Sequence, residues 1–277
     1  MTTAPLLTLN DGHTMPALGF GTYSIQGDDA PVLFAEAIDA GYRLLDTATR
    51  YENEVEVGRG IAASGIARDE LFVTTKLPGS GHGTDAPRGE LEASLERLGL
   101  DHVDLYLIHW PNPLEDRYVE TWEALVGLRE AGLTRSIGVS YFLPEHLDRI
   151  VAATGVAPAV NQVELHPYFP QTEQRAADEA LHIVTQSWTP LGRKTNLLDE
   201  PVLAAIAEKH GVNPGQVVLR WHTQVGAAPI PKSSTPERFR ANLDIFGFEL
   251  DADDLSDIAS LATGERIGGD PRTHQEF

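Results

Sequence analysis

The sequence has no cysteine among its 277 residues. That excludes a disulfide framework, a thiolate nucleophile and a cysteine-ligated metal centre. Positive charge is also scarce: 21 Lys and Arg stand against 41 Asp and Glu, a formal net charge of −20. Such a balance repels nucleic acid and anionic membrane surfaces at long range. It leaves room for a small anionic ligand, because a local Lys/Arg cluster overrides the global field within a Debye length. No stretch approaches the roughly 18 apolar residues of a membrane span. Met1–Gly12 lacks a basic segment followed by an apolar one, so no signal peptide is read. A cytoplasmic protein is expected, with neither nucleic acid nor membrane as partner. The 10 histidines never adopt a His-Glu-x-x-His or comparable spacing, and no metal is expected. A Rossmann fingerprint is missing too: Gly19-Phe20-Gly21 is followed by Ser24 where a third glycine would stand. No Walker loop occurs either. A Pro/Gly/Ser linker is likewise absent, so residues 1–277 are read as one domain.

What is present is an alternation of short apolar runs with amphipathic helical patterns. Candidate strands are Leu18–Gly21, Arg43–Asp46, Leu71–Lys76, Val103–His109, Ile137–Ser140, Ala159–Glu164, His182–Trp188 and Pro229–Pro231. Between them, Leu91, Leu95 and Leu98 share one helical face while Glu90, Glu92, Glu96 and Arg97 point outward. Gly41, Gly99 and Gly132 follow helical segments at expected C-terminal caps. Such alternation implies parallel strands with crossover helices. Both an open doubly wound sheet and a closed barrel fit the pattern. Eight units in this length favour the α/β class as an eight-stranded parallel (β/α) TIM barrel. Leu6–Leu9, Asn10-Asp11-Gly12-His13 and Thr14–Pro16 predict a hairpin that plugs one end.

In such a barrel the chemistry lies where strands run into the following loops. The second, third and fourth strands end in Asp46, Lys76 and His109, and Tyr51 follows in the loop after Asp46. Singly, an Asp or Lys at a strand end is more often a structural ion pair, and a lone His before Trp110-Pro111 is also more often structural. Their joint occurrence on successive strands, with the loop tyrosine, points to a cluster. A Lys ammonium beside a phenol favours phenolate, and Asp46 would keep Lys76 charged and oriented. Tyr51 is then expected to be an acidified proton donor to a carbonyl, with His109 orienting that carbonyl as the neutral ring.

An anion site is read at Pro231-Lys232-Ser233-Ser234-Thr235-Pro236-Glu237-Arg238. Thr235 suits an N-cap and Pro236 a first helical position, so a helix begins there with its N–H groups free for an anion. Lys232, Ser233 and Arg238 add charge and donors. The plain alternative is a helix start with solvated charges.

Asp46-Thr47-Ala48-Thr49-Arg50-Tyr51-Glu52-Asn53-Glu54 resembles the aldo-keto reductase signature, as do Thr74-Thr75-Lys76-Leu77, Leu107-Ile108-His109-Trp110-Pro111 and Asn161-Gln162-Val163-Glu164-Leu165-His166-Pro167. The resemblance covers essentially the whole chain and is strongest to bacterial, 2,5-diketo-D-gluconate reductase-like members. It implies an NADPH-dependent reductase of aldehydes or ketones, commonly a monomer, with Asp46, Tyr51, Lys76 and His109 as the catalytic tetrad. It also implies that Lys232, Ser233, Ser234, Thr235 and Arg238 hold the 2′-phosphate and Asn242 the adenine. Ala241 replaces a frequent acidic residue, removing that contact. Trp188 would stack on the nicotinamide and Thr189, Pro190, Leu191 and Gly192 would pass the pyrophosphate. Ser140 and Gln162 would hold the carboxamide, with Gly21, Thr22 and Asp46 completing the cofactor contacts. Where the family has an asparagine beside Ser140, this chain has Tyr141, which is expected to weaken or re-aim that hold. Tyr23 and Trp110 would wall the substrate beside Tyr51 and His109. Glu164 and His166 are read as structural. The tail from Gly264 is rich in loop formers; in the family this region folds near the site and shapes specificity, and a frayed terminus fits the composition equally. Two rival readings are an NADPH-binding regulatory subunit, which has no need of Tyr51, and a metal-dependent hydrolase, which lacks its ligands.

Overall fold

A computed structural model describes residues 4–277 of the chain. It is an eight-stranded parallel (β/α) barrel preceded by a hairpin. The hairpin pairs β1 (Leu6–Thr8) with β2 (Thr14–Pro16), Leu7 opposite Met15. Its turn is closed by the Leu9 N–H on the His13 carbonyl, with Gly12 at φ 90, a conformation that a Cβ would strain.

The barrel strands are β3 (Phe20–Gly21), β4 (Leu44–Asp46), β5 (Phe72–Leu77), β6 (Val103–Ile108), β7 (Thr134–Ser140), β8 (Val160–Glu164), β9 (Val184–Trp188) and β10 (Ala227–Pro229), hydrogen-bonded in that order. Closure is made at the last residue of β10 and two residues beyond it. The N–H groups of Gly19 and Gly21 donate to the carbonyls of Pro229 and Pro231, each at 3.0 Å. Two strands depart most from the sequence reading, β7 by three residues at its start and β10 by two at each limit. Strand β7 begins at Thr134, because Arg135 and Ser136 hide its start from an apolar-run criterion. The last ladder occupies Ala227–Pro229, not Pro229–Pro231. Pro229 and Pro231 have no N–H to donate, and two alanines carry little β signal.

Outside the sheet lie α1 (Ala30–Ala40), α2 (Glu54–Ser64), α3 (Ala86–Leu98), α4 (Tyr118–Glu130), α5 (Pro144–Thr154), α6 (Thr172–Ala180), the pair α7 (Pro201–His210) and α8 (Pro214–Gln224), then α9 (Pro236–Leu243) and α10 (Ala252–Ala259). In α3 the stripe Leu91, Leu95 and Leu98 is buried and Glu92 and Glu96 are exposed. Among the described residues no helix is long and apolar enough to cross a membrane.

Side chains alternate across a strand, so residues two apart share a face. Leu44, Phe72, Leu105, Leu107, Val160 and Ala228 fill the lower interior, against Leu9 and Met15 of the hairpin. Two or four residues further along the same strands stand Asp46, Lys76, His109 and Gln162. One alternation thus builds an apolar floor and, above it, a polar layer.

Candidate active site

Strands β4, β5 and β6 are consecutive neighbours, so their ends meet. Lys76 is fully buried and spends all three of its donors. Its Nζ lies 2.7 Å from Asp46 Oδ1, 2.9 Å from the Thr47 carbonyl and 3.1 Å from the Tyr51 hydroxyl. Tyr51 closes a single helical turn, Thr49–Tyr51, after which Glu52 takes φ 54. The loop is held from behind by Asn53, whose Nδ2 donates to the Thr22 and Ile25 carbonyls and whose Oδ1 accepts from Thr47. His109 begins one strand further on, its ring centroid 5.9 Å from that of Tyr51.

Electrostatics correct one expectation. Burial pushes the Tyr51 phenol up; Lys76 pulls it down, Asp46 pushes it up again, and the balance lies above the ordinary tyrosine value. The phenol is not acidified in the ground state. Lys76 is raised as well: burial disfavours its charge, but Asp46 and Tyr51 outweigh burial. Both groups therefore hold their protons at neutral pH.

A cavity of about 670 Å³ opens over these residues. Asp46, Tyr51, His109, Tyr23 and Trp110 line it, and so do Gly21, Gln162, Trp188, Thr189, Pro190, Leu191 and Lys232. It therefore runs from the Tyr51–His109 end to Lys232, in the segment ahead of α9. The Pro190 segment is fixed by His222, whose Nε2 lies 3.1 Å from the Pro190 carbonyl and whose Nδ1 lies 3.0 Å from Ser187 Oγ. Burial pushes His222 down to about 3, so the ring is neutral and donates from Nε2. Gly192 follows at φ 63.

Of the other residues named from the sequence, Thr22, Ser140, Gly192, Ser233, Ser234, Thr235, Arg238 and Asn242 do not line the cavity. Thr22 is buried and its hydroxyl donates to the Asp46 carbonyl. Ser140 donates to the Gln162 carbonyl at 2.8 Å, while Gln162 Nε2 contacts Asp46 Oδ2 at 2.7 Å and Gln186 Oε1 at 2.6 Å. Thr235 occupies the N-cap position of α9 and Pro236 opens the helix, but the Thr235 hydroxyl does not cap it. Instead Ser233 Oγ accepts the Thr235 N–H at 3.1 Å. Lys232, Ser234 and Arg238 are exposed there and Asn242 is buried. Tyr141 sits at φ 60, stacked on Trp110 with centroids 3.4 Å apart, and 5.1 Å from the Trp188 ring.

The tail from Gly264 is not frayed: it crosses the mouth of the barrel. Glu164 accepts the Ile267 and Gly268 N–H groups at 2.6 and 2.7 Å and lies 3.0 Å from His166 Nε2. A Cβ on Gly268 would stand 2.8 Å from the Trp188 ring, which leaves only glycine there. Gly268, Gly269 and Glu276 join the cavity wall, with Arg50 and Arg193. Sequence reasoning missed these residues. The Gly268-Gly269 pair was a signal for close chain approach; Glu276, one residue from the end, offered none.

Residues 17–263 match the model of the aldo/keto reductase family, and the chain belongs to that family. It is 52% identical over 277 residues to 2,5-diketo-D-gluconic acid reductase B of a Corynebacterium species, covering 100% of both chains. It is 44% identical over 272 residues to methylglyoxal reductase DkgA of Yersinia pestis, 98% of each. Among solved structures, an aldo-keto reductase of Bombyx mori in complex with NADP superposes with a TM-score of 0.91 at 36% identity, over 97% of this chain and 96% of that one.

Proposed function

We propose that this chain reduces aldehyde or ketone carbonyls to alcohols with NADPH, and that Tyr51 is the proton donor. The observation that carries the reading is the Tyr51 hydroxyl, 3.1 Å from Lys76 Nζ, on the wall of a cavity that extends to Lys232.

The residues present fit the dinucleotide. The cavity wall reaches Lys232, Arg238 lies exposed in the helix that follows, and the buried Trp188 indole N–H has no protein partner. Lys232, Ser233, Ser234, Thr235, Arg238 and Asn242 would hold the adenosine end, and Thr189, Pro190, Leu191 and Gly192 the pyrophosphate. Trp188, Ser140 and Gln162, with Gly21, Thr22 and Asp46 nearby, would hold the nicotinamide. NADPH supplies the hydride when bound.

The chain's own part is to orient the carbonyl and move a proton. Tyr51, protonated because its pKa is raised, presents its hydroxyl to the carbonyl oxygen and gives up that proton as negative charge develops there. Lys76 then faces a phenolate and stabilises it, and Asp46 holds Lys76 in line. The ammonium matters for the product of proton transfer, not for the resting phenol. Tyr23 and Trp110 form the apolar walls, and Arg193 lies over the Tyr23 ring at 4.9 Å.

The relatives named for diketogluconic acid and methylglyoxal suggest a panel of small carbonyl compounds. Loss of NADPH absorbance should follow their addition, and Tyr51→Phe should lower kcat by about 10²–10⁴-fold with NADPH still bound. Equal rates in both proteins would end the proposal. NADPH binding without turnover on any carbonyl would favour a regulatory subunit.

A further inference from the structure

Two glutamines lie side by side in the barrel wall. Gln162 on β8 and Gln186 on β9 are register partners in the parallel ladder, so both project from the same face of the sheet. Both are buried, and a buried amide costs free energy unless its polar atoms are hydrogen-bonded. The NH2 group of Gln162 meets that demand twice: Nε2 lies 2.7 Å from Asp46 Oδ2 and 2.6 Å from Gln186 Oε1. Gln186 turns its own NH2 group to Met15 Sδ, 3.7 Å away in the hairpin.

The direction of these contacts is dictated from one end. Asp46 is paired with Lys76 at 2.7 Å, and its carboxylate can only accept. Gln162 must therefore face Asp46 with nitrogen. Its second N–H then requires the oxygen of Gln186, which leaves the Gln186 nitrogen for sulfur, a weak acceptor. With both N–H bonds committed inside the barrel, Oε1 of Gln162 is left without a protein partner among the described residues. That oxygen is not sealed off, and Gln162 lines the cavity.

We propose that Gln186 is a positioning residue for the cofactor end of the site: by accepting the second N–H of Gln162 it fixes that amide, so that Gln162 offers the cavity an acceptor and not a donor. The nicotinamide carboxamide would be held there through its NH2 group. A methyl ketone in place of the carboxamide keeps the carbonyl but has no N–H to give Oε1. Gln162 thus selects the amide by its protons, and Gln186 is what keeps that selection one-sided.

The ligand in this inference rests on the NADPH reading; the amide arrangement does not. Fluorescence titration compares NADPH with its reduced 3-acetylpyridine analogue, which carries that methyl ketone. The wild type should bind NADPH about fivefold tighter, and Gln162→Met should abolish the preference. Gln186→Met keeps the bulk, removes the acceptor and frees one N–H, so the preference should fall toward unity. Gln186→Glu supplies an acceptor in either protonation state and should keep it. A substitution that merely loosened the fold would weaken both nucleotides alike. Equal binding by the wild type, a preference that survives in Gln162→Met or Gln186→Met, or its loss in Gln186→Glu would overturn the proposal. In cofactor-free protein, the side-chain amide protons of Gln162, assigned by their absence from Gln162→Met, should exchange slowly with solvent and faster in Gln186→Met. Equal exchange in the two proteins would overturn it as well. If neither nucleotide binds the wild type, the NADPH reading is lost and amide exchange alone decides the role of Gln186.

Discussion

The lower interior of the barrel holds Leu44, Phe72, Leu105, Leu107 and Val160, closed beneath by Leu9 and Met15. The upper interior, on the same strands, holds Asp46, Lys76 and Gln162 with their hydrogen bonds to one another and to the Tyr51 loop, and His109 beside Tyr51. The floor is interchangeable in kind, because apolar packing is non-directional and tolerates volume-conserving swaps. The mouth is not, because each buried charge depends on particular partners at hydrogen-bond distance. A single fold thus keeps its stability and its chemistry apart by two or four residues along each strand.

The sharpest way to break that division is Lys76→Met. It strands Asp46 as a buried, unpaired carboxylate, so the mouth should cost stability like a core site: about 3–5 kcal/mol, read by denaturant unfolding, with turnover lost. Leu107→Ala tests the other half. It should cost about 2–5 kcal/mol through the cavity it leaves, while the folded fraction keeps its kcat. A fall in kcat there comparable to Tyr51→Phe would deny the separation.

A smaller effect comes from a charge outside both layers. Asp178 accepts hydrogen bonds from Asn161, Gln174 and Thr185, yet burial still pushes its carboxyl up to about 6 from 3.8. The folded state therefore binds this proton more tightly than the unfolded chain. Its stabilising contribution is full below the unfolded value and is lost as pH rises through about 6. Asp178→Asn should remove a pH-dependent part of roughly 1–3 kcal/mol from the unfolding free energy, measured on both sides of that window. A slope identical to that of the wild type would refute the assignment. The smallest effect concerns the cofactor end. Tyr141→Asn should relieve the left-handed backbone and restore one carboxamide bond, tightening NADPH by about 1 kcal/mol, near fivefold, in a fluorescence titration. No change in affinity or turnover would reject a role for Tyr141 in weakening that hold.

Much of this was legible in one dimension. Asp46, Lys76 and His109 each end an apolar run, and parallel neighbours bring such ends together whatever the loops do. Thr235-Pro236 announced the start of α9. Less was visible where contacts are made across long separations. The Pro229–Pro231 segment reads as a strand but serves as the closure, accepting from Gly19 and Gly21 at the other end of the sheet. The acidified phenol was a two-body argument from Lys76 and Tyr51. It failed because burial, a property of the whole fold, is the larger influence on Tyr51.

The sequence by itself determined the barrel and the identity of the groups at its mouth, because side-chain alternation and strand–helix order are local rules. The tertiary structure alone decided that Glu276 reaches His109 and that Tyr51 stays protonated at rest. Proximity across 167 residues, from 109 to 276, and the surroundings of a phenol are set by packing, and packing has no signature in any short stretch of chain.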